Sequence, residues 1–331
     1  MKLAEIHDDT VAAALAGCGW RSARGTTHRY TFRDAGARLL ALARHGEWEM
    51  YALHGKAFAP PAGDSWLHDN SRLMGPVKWV AGRGRAAICR ADVPRQWSEA
   101  GKGAAFVGRP SQADNDGLER PSYSHVGPRQ AWAAALTDFV RQTPGTTADS
   151  SLSVGRSFTP SSSGRSETPS YVGEQCGLPL PAFAEQLQRA GWAATVDGHG
   201  LLVHLSLPGL YREICLEQSG NGHLLVAATL VELTTLPNES RRAIVALAAE
   251  ANARLPLVRY AIAAEEQGES LRAEVCLSLE CALVPGGWLL TAVEVVEAAV
   301  SLSAREMQAL RDPELARLVL AANAAHERKE V

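Results

Sequence analysis

The residues that could do chemistry in this chain are numerous but scattered. Ten His are spread through 331 residues. None stands in an HExxH pair, and His54, His68 and Asp69 miss the i, i+4 spacing that sets two ligands on one helix face. A zinc site needs three or four converging ligands; no such set can be assembled, and no metal is expected. Asp114-Asn115-Asp116-Gly117 opens like a calcium loop but lacks the third acidic position and the closing Glu, so it reads as a polar loop. Gly82-Arg83-Gly84 lacks the third Gly and the following helix of a dinucleotide fingerprint and reads as a turn between short strands. No GxxxxGK[ST] and no GxSxG occur, so neither a phosphate cradle nor a nucleophile elbow is present and no cofactor is expected. Glu213, Glu217, Glu274 and Glu280 fall on outward strand positions, where a solvated face is the ordinary explanation. No carboxylate pair for acid–base work stands out, and no catalytic residue is assigned.

Six Cys stand at 18, 89, 176, 215, 276 and 281 with no CxxC pair and read as reduced thiols. Cys18, Cys89 and Cys215 sit among apolar or strand-like neighbours and read as small hydrophobes. Trp48, Trp66, Trp79 and Trp97 near Arg72, Arg83, Arg85 and Arg95 have the residue types of a stacking-plus-phosphate surface. Trp48 and Trp79 fit sheet core equally well, and nucleic-acid binding is not expected.

The elements that would position these side chains fall into two halves. Residues 143–178 are dense in Ser, Thr, Gly and Pro and almost without large apolar residues, which reads as a flexible linker. Residues 1–142 hold 19 Lys+Arg against 14 Asp+Glu, whereas residues 179–331 hold 12 against 19. A basic half thus precedes an acidic one, and the two could attract each other or prefer partners of opposite sign.

In the second half, Phe183, Leu187 and Ala190 recur at helical spacing up to Gly191. Trp192–Leu207, Tyr211–Gln218 and His223–Leu233 read as three strands. Asn238 suits an N-cap for a helix running to Leu255. Residues 258–263 and 271–281 alternate strictly, apolar on one face and charged on the other, which predicts an antiparallel sheet covered on one side. A long helix from Trp288 to about Leu310 carries a narrow polar stripe, Thr291, Glu294, Glu297 and Ser301. Such a helix needs a second apolar surface besides the sheet, and Trp288, Val293, Val296 and Val300 are the candidate interface residues. A last helix starts at Pro313 with Asp312 as its cap. The fold class is α+β, an antiparallel sheet with helices packed on one face, in the order helix, three strands, helix, two strands, helix, helix.

The first half reads as a divergent copy. AAALAGCGW at 12–20 matches EQLQRAGW at 185–192, and strand-like segments 29–32, 38–45 and 47–53 keep the same beat. Segments near 77–80 and 85–91 and a closing helix at 131–140 follow, so a duplicated architecture is expected. The order of elements in the second half resembles the type III secretion chaperone-like superfamily, which includes the Tir-chaperone (CesT-type) and YbjN-type proteins. The resemblance implies no enzyme activity. It implies small acidic α+β domains that dimerise and bind partly unfolded protein segments, here as a tandem pair forming a dimer-like unit in one chain or a homodimer.

No charge-free apolar run of about 18 residues and no leader-like N-terminus are present, so a cytoplasmic protein without a membrane partner is expected. The expected function is a non-catalytic, chaperone- or adaptor-like module that binds extended or partly unfolded segments. The alternative is an enzyme or small-ligand-binding protein with a pocket between the two domains.

Overall fold

The structure is a computed structural model that describes residues 9–94, 133–140 and 180–327, each with short gaps. The segment 143–178, read as a linker, lies outside the described residues. The elements of the first half are α1 (Asp9–Gly17), β1 (Trp20–Ser22), β2 (Arg29–Phe32), β3 (Ala37–His45), β4 (Trp48–His54), α2 (Trp66–Asn70), β5 (Val77–Ala81) and β6 (Ala87–Pro94). Those of the second are α3 (Leu180–Arg189), β7 (Ala193–Asp197), β8 (Gly200–Leu207), β9 (Leu210–Gln218), β10 (His223–Glu232), α4 (Asn238–Arg254), β11 (Arg259–Glu265), β12 (Gly268–Ser278), α5 (Trp288–Ala309) and α6 (Pro313–Glu327).

Two six-stranded sheets result, β1-β2-β3-β4-β6-β5 and β7-β8-β9-β10-β12-β11, with antiparallel neighbours throughout. The strand order is the same in both. The α+β class holds, but each half has four strands before its second helix where three were expected. In the second half Trp192–Leu207 folds back on itself, because Asp197 and Gly200 pair across a two-residue connection.

Both first helices end the same way. Gly19 and Gly191 each sit at φ +91°, where a residue without Cβ is unstrained. The Gly19 N–H donates to Ala16 O and the Gly191 N–H to Gln188 O, both at 3.0 Å. Trp20 is buried, and its indole N–H donates to Thr137 Oγ1 at 2.9 Å, tying β1 to the helical residues near 133–140. Residue 238 is the first of α4 rather than its cap; Pro237 takes the cap position without a side-chain bond. Asp312 does cap α6, accepting the Glu314 N–H at 2.9 Å.

The second core lies between one face of the sheet and α5. Leu224, Val226, Ala228, Leu271, Ala273, Val275 and Leu277 alternate along β10 and β12, and all are buried. Against them α5 buries Trp288, Leu289, Ala292, Val293, Val296, Ala299 and Val300. The Tyr260 hydroxyl spans the layers, donating to Ala299 O at 3.2 Å and lying 3.1 Å from Ser303 Oγ.

The halves exchange their second helices. α2 packs on β11 of the other sheet, and α4 packs on β5. One buried core runs through both.

Candidate functional site

Three places hold exposed or buried groups capable of recognition: the edge of the second sheet, its outer face, and the seam between the halves. The edge strand is AATVD, and its direction of pairing follows from its hairpin. A two-residue connection makes Asp197 and Gly200 the closing hydrogen-bonded pair, so alternation turns the backbone groups of Ala194 and Val196 away from β8. The Ala194 carbonyl accepts the Gln188 side-chain N–H at 2.9 Å, as that alternation requires. Val196, 47% exposed, thus turns its N–H and C=O outward at the end of the sheet order.

On the outer face beside that edge, Thr195 Oγ1 lies 2.9 Å from His204 Nε2, and His204 Nδ1 lies 3.1 Å from Glu213 Oε1. In the tautomer that donates from Nδ1 to the Glu213 carboxylate, Nε2 is the acceptor for the Thr195 hydroxyl. The order of groups is hydroxyl, imidazole, carboxylate, but it lies along an open sheet face with His204 and Glu213 about a third exposed. Cys215 on β9 is also exposed, not one of the buried small hydrophobes; its position opposite Leu202 puts it on this same outer face.

The seam is the most densely polar buried region. Lys78 and Arg90 are opposite each other on β5 and β6, and Asp92 follows two residues on, on the same face. Asp92 Oδ2 lies 3.2 Å from Lys78 Nζ and 3.1 Å from Arg90 Nη2, and Arg90 Nε lies 2.8 Å from Asp92 Oδ1. Both side chains cross into the other half. Lys78 donates to Leu255 O and, at 2.8 Å, to Val258 O; Arg90 donates to Ala253 O at 3.0 Å and Leu255 O at 3.2 Å. These carbonyls belong to the end of α4 and the turn after it, where unpaired C=O groups concentrate negative potential. Asp92 adds a third link by accepting the Leu257 N–H at 2.9 Å; Leu257 holds φ +59°.

The other half answers in kind. Arg259 on β11 pairs with Glu274 on β12 at 2.7 Å and donates to Val77 O at 3.1 Å and Gly75 O at 3.4 Å. The Gly75 N–H donates to Cys276 Sγ at 3.3 Å. Asn70 ends α2, and Asn252 lies in the last turn of α4. Asn252 holds both backbone groups of Tyr260, Asn70 holds both of Trp79, and Asn70 also donates to Tyr260 O at 3.2 Å.

Several expectations change here. Glu274, expected to be solvated, is 2% exposed. Period two shows that it points away from the core under α5, but the other half covers that face. The second sheet is therefore covered on both sides at its β11–β12 end. Trp66 and Trp79 are buried, with Arg72 exposed, so they present no ring surface for stacking. Trp97, Arg83, Arg85, Arg95, Glu280 and Asp114–Gly117 lie outside the described residues. The structure brings Trp288, Val293, Val296 and Val300 together within the chain's own core, each at most 1% exposed. The large apolar side chains that α5 and α6 expose are Leu302, Leu315 and Leu318. Among the described residues no group of three potential metal ligands occurs, and no helix is long and apolar enough to cross a membrane.

No family model, no curated protein and no solved structure matches this chain.

The seam residues Lys78, Arg90, Asp92, Arg259 and Glu274 carried no sequence motif. The signal that could have found them is charge on strands that pack on both faces, visible only once the partner surface is known.

Proposed function

We propose that the protein is a non-catalytic cytoplasmic binding module, chaperone- or adaptor-like, that takes up extended polypeptide segments as an added strand along β7. The supporting observation is an asymmetry of edges. At one end of the second sheet β11 is covered by α2 of the other half, while at the other end Val196 turns its backbone donor and acceptor outward. Strand addition draws its affinity from such main-chain groups and its selectivity from alternate side-chain positions. Thr195, Leu202 and His204 line one side of the edge. The resemblance of the element order to type III secretion chaperone-like domains, with the halves acting as a built-in pair, favours the same reading. The close packing of the seam favours it over an enzyme or ligand-binding protein with a pocket between the halves.

The test is an array of ten-residue peptides with alternating apolar and polar positions, read by fluorescence anisotropy. Binders are expected, and Val196→Pro should weaken them at least tenfold with the circular dichroism unchanged. Proline there removes the outward N–H and leaves the β7–β8 ladder intact. An array without binders, or binders indifferent to Val196→Pro, would sink the reading.

A further inference from the structure

We propose that the seam between the halves is a proton-operated latch: Lys78 gives up a proton when the halves close and regains it when they part. The geometry sets the case. Lys78 Nζ is walled in by Asp92, Leu255 O and Val258 O, and its side chain is 1% exposed. The charged groups facing it are Asp92 and Arg90 from β6 and Arg259 from β11; the turn after α4 contributes the carbonyl oxygens of Leu255 and Val258, while Arg254 of α4 turns outward to pair with Glu250. Glu274 balances Arg259.

With Lys78 neutral, Arg90 and Arg259 stand against Asp92 and Glu274, and the buried charges cancel. With Lys78 protonated, a third cation enters against the same two carboxylates. The ammonium would give three N–H groups to three acceptors, but this gain competes with the cost of burying the charge. Burial is the largest influence and brings Lys78 down to about 7, with Asp92 opposing and Arg90 and Arg259 assisting.

The sign follows from linkage. A parted seam returns Lys78 to water and to its ordinary value of 10.5. Between about pH 7 and 10.5 the parted form holds a proton that the closed form lacks. Raising the pH through this window therefore tightens the seam, by up to about tenfold in the opening equilibrium per pH unit. Below pH 7 the lysine is charged in both forms, and this group contributes no further change. The latch is loosest at and below neutrality.

Two cross-seam amides report opening directly, Leu257 N–H on Asp92 and Gly75 N–H on Cys276. In the full chain, their hydrogen-exchange rates, corrected for intrinsic pH dependence, should fall several-fold per pH unit from 7.5 to 9.5. Lys78→Met should flatten that slope. A flat wild-type profile, or an undiminished slope in Lys78→Met, would overturn the proposal. Should the variant fail to fold, NMR titration of the Lys78 side chain in the wild type decides. A transition near 7 supports the latch, and one near 10.5 refutes it.

Discussion

Two glycines separate the cost of a backbone angle from the cost of a clash. At Gly191, φ is +91° and an added Cβ would meet nothing within 4 Å. Gly191→Ala should therefore lose only the left-handed penalty, about 1–2 kcal/mol. At Gly268, φ is +136° and the Cβ would stand 2.0 Å from Thr234 Oγ1. That hydroxyl accepts the Glu269 N–H at 2.7 Å, so it cannot swing aside without orphaning a donor. Gly268→Ala should cost about 3 kcal/mol or more, the strain and the overpacking together. Urea midpoints of the two variants check the ranking, and equal losses would show that Thr234 yields freely. The helix-Gly-Trp ending was legible at this scale because a C-terminal glycine is a local requirement. Glu274 was not. Alternation along β12 assigns its face, but the burial of that face depends on Arg259, Gly75 and Val77 arriving from elsewhere.

α5 tests how far an amphipathic pattern reads. Its polar stripe, Thr291, Glu294, Glu297 and Ser301, is narrow, and the residues opposite it do pack on β10 and β12. A second apolar surface besides the sheet was expected as well. Val295 is only partly buried and Leu302 is 62% exposed. The sequence marked the width of the apolar arc correctly but could not say how much of it a neighbour covers. Val296→Asp would bury a carboxylate in a site of 0% exposure and should destabilise the fold by about 4 kcal/mol or more. Leu302→Asp, one and a half turns further on, should stay within about 0.5 kcal/mol. Thermal melts of both variants distinguish the two sides of the helix. A Val296→Asp protein that melts with the wild type would show that α5 is not anchored where described. The β7–β8 hairpin was missed for a different reason. Residues 192–207 are apolar enough to read as one strand, and the Asp-Gly pair at 197–198 is the turn-forming dipeptide that could have divided it.

At the scale of the molecule, the basic and acidic halves left open mutual attraction or partners of opposite sign, and their contact is a buried polar seam rather than a field between surfaces. Long-range attraction of that kind would fade with salt, whereas the seam's pairs are sheltered from it. Each half supplies both the helix that covers the other's edge strand and the side chains that hold the other's turn. A chain cut between them should therefore stay together. With a protease site inserted between Ser162 and Ser163, the cleaved wild type is expected to elute as one species, at low salt and at 0.5 M alike. Asp92→Asn should change that. Removing its charge leaves Lys78 and Arg90 without their buried carboxylate and weakens the acceptor for Leu257 N–H. Breaking such a pair costs about 3–5 kcal/mol, a hundredfold or more in association. The cleaved Asp92→Asn protein should separate on dilution where the wild type does not. Cleaved wild-type halves that part at low salt would show that the seam does not hold them together, and an Asp92→Asn pair that holds as tightly as the wild type would show that the apolar contacts of α2 and α4 join the halves without the seam's help.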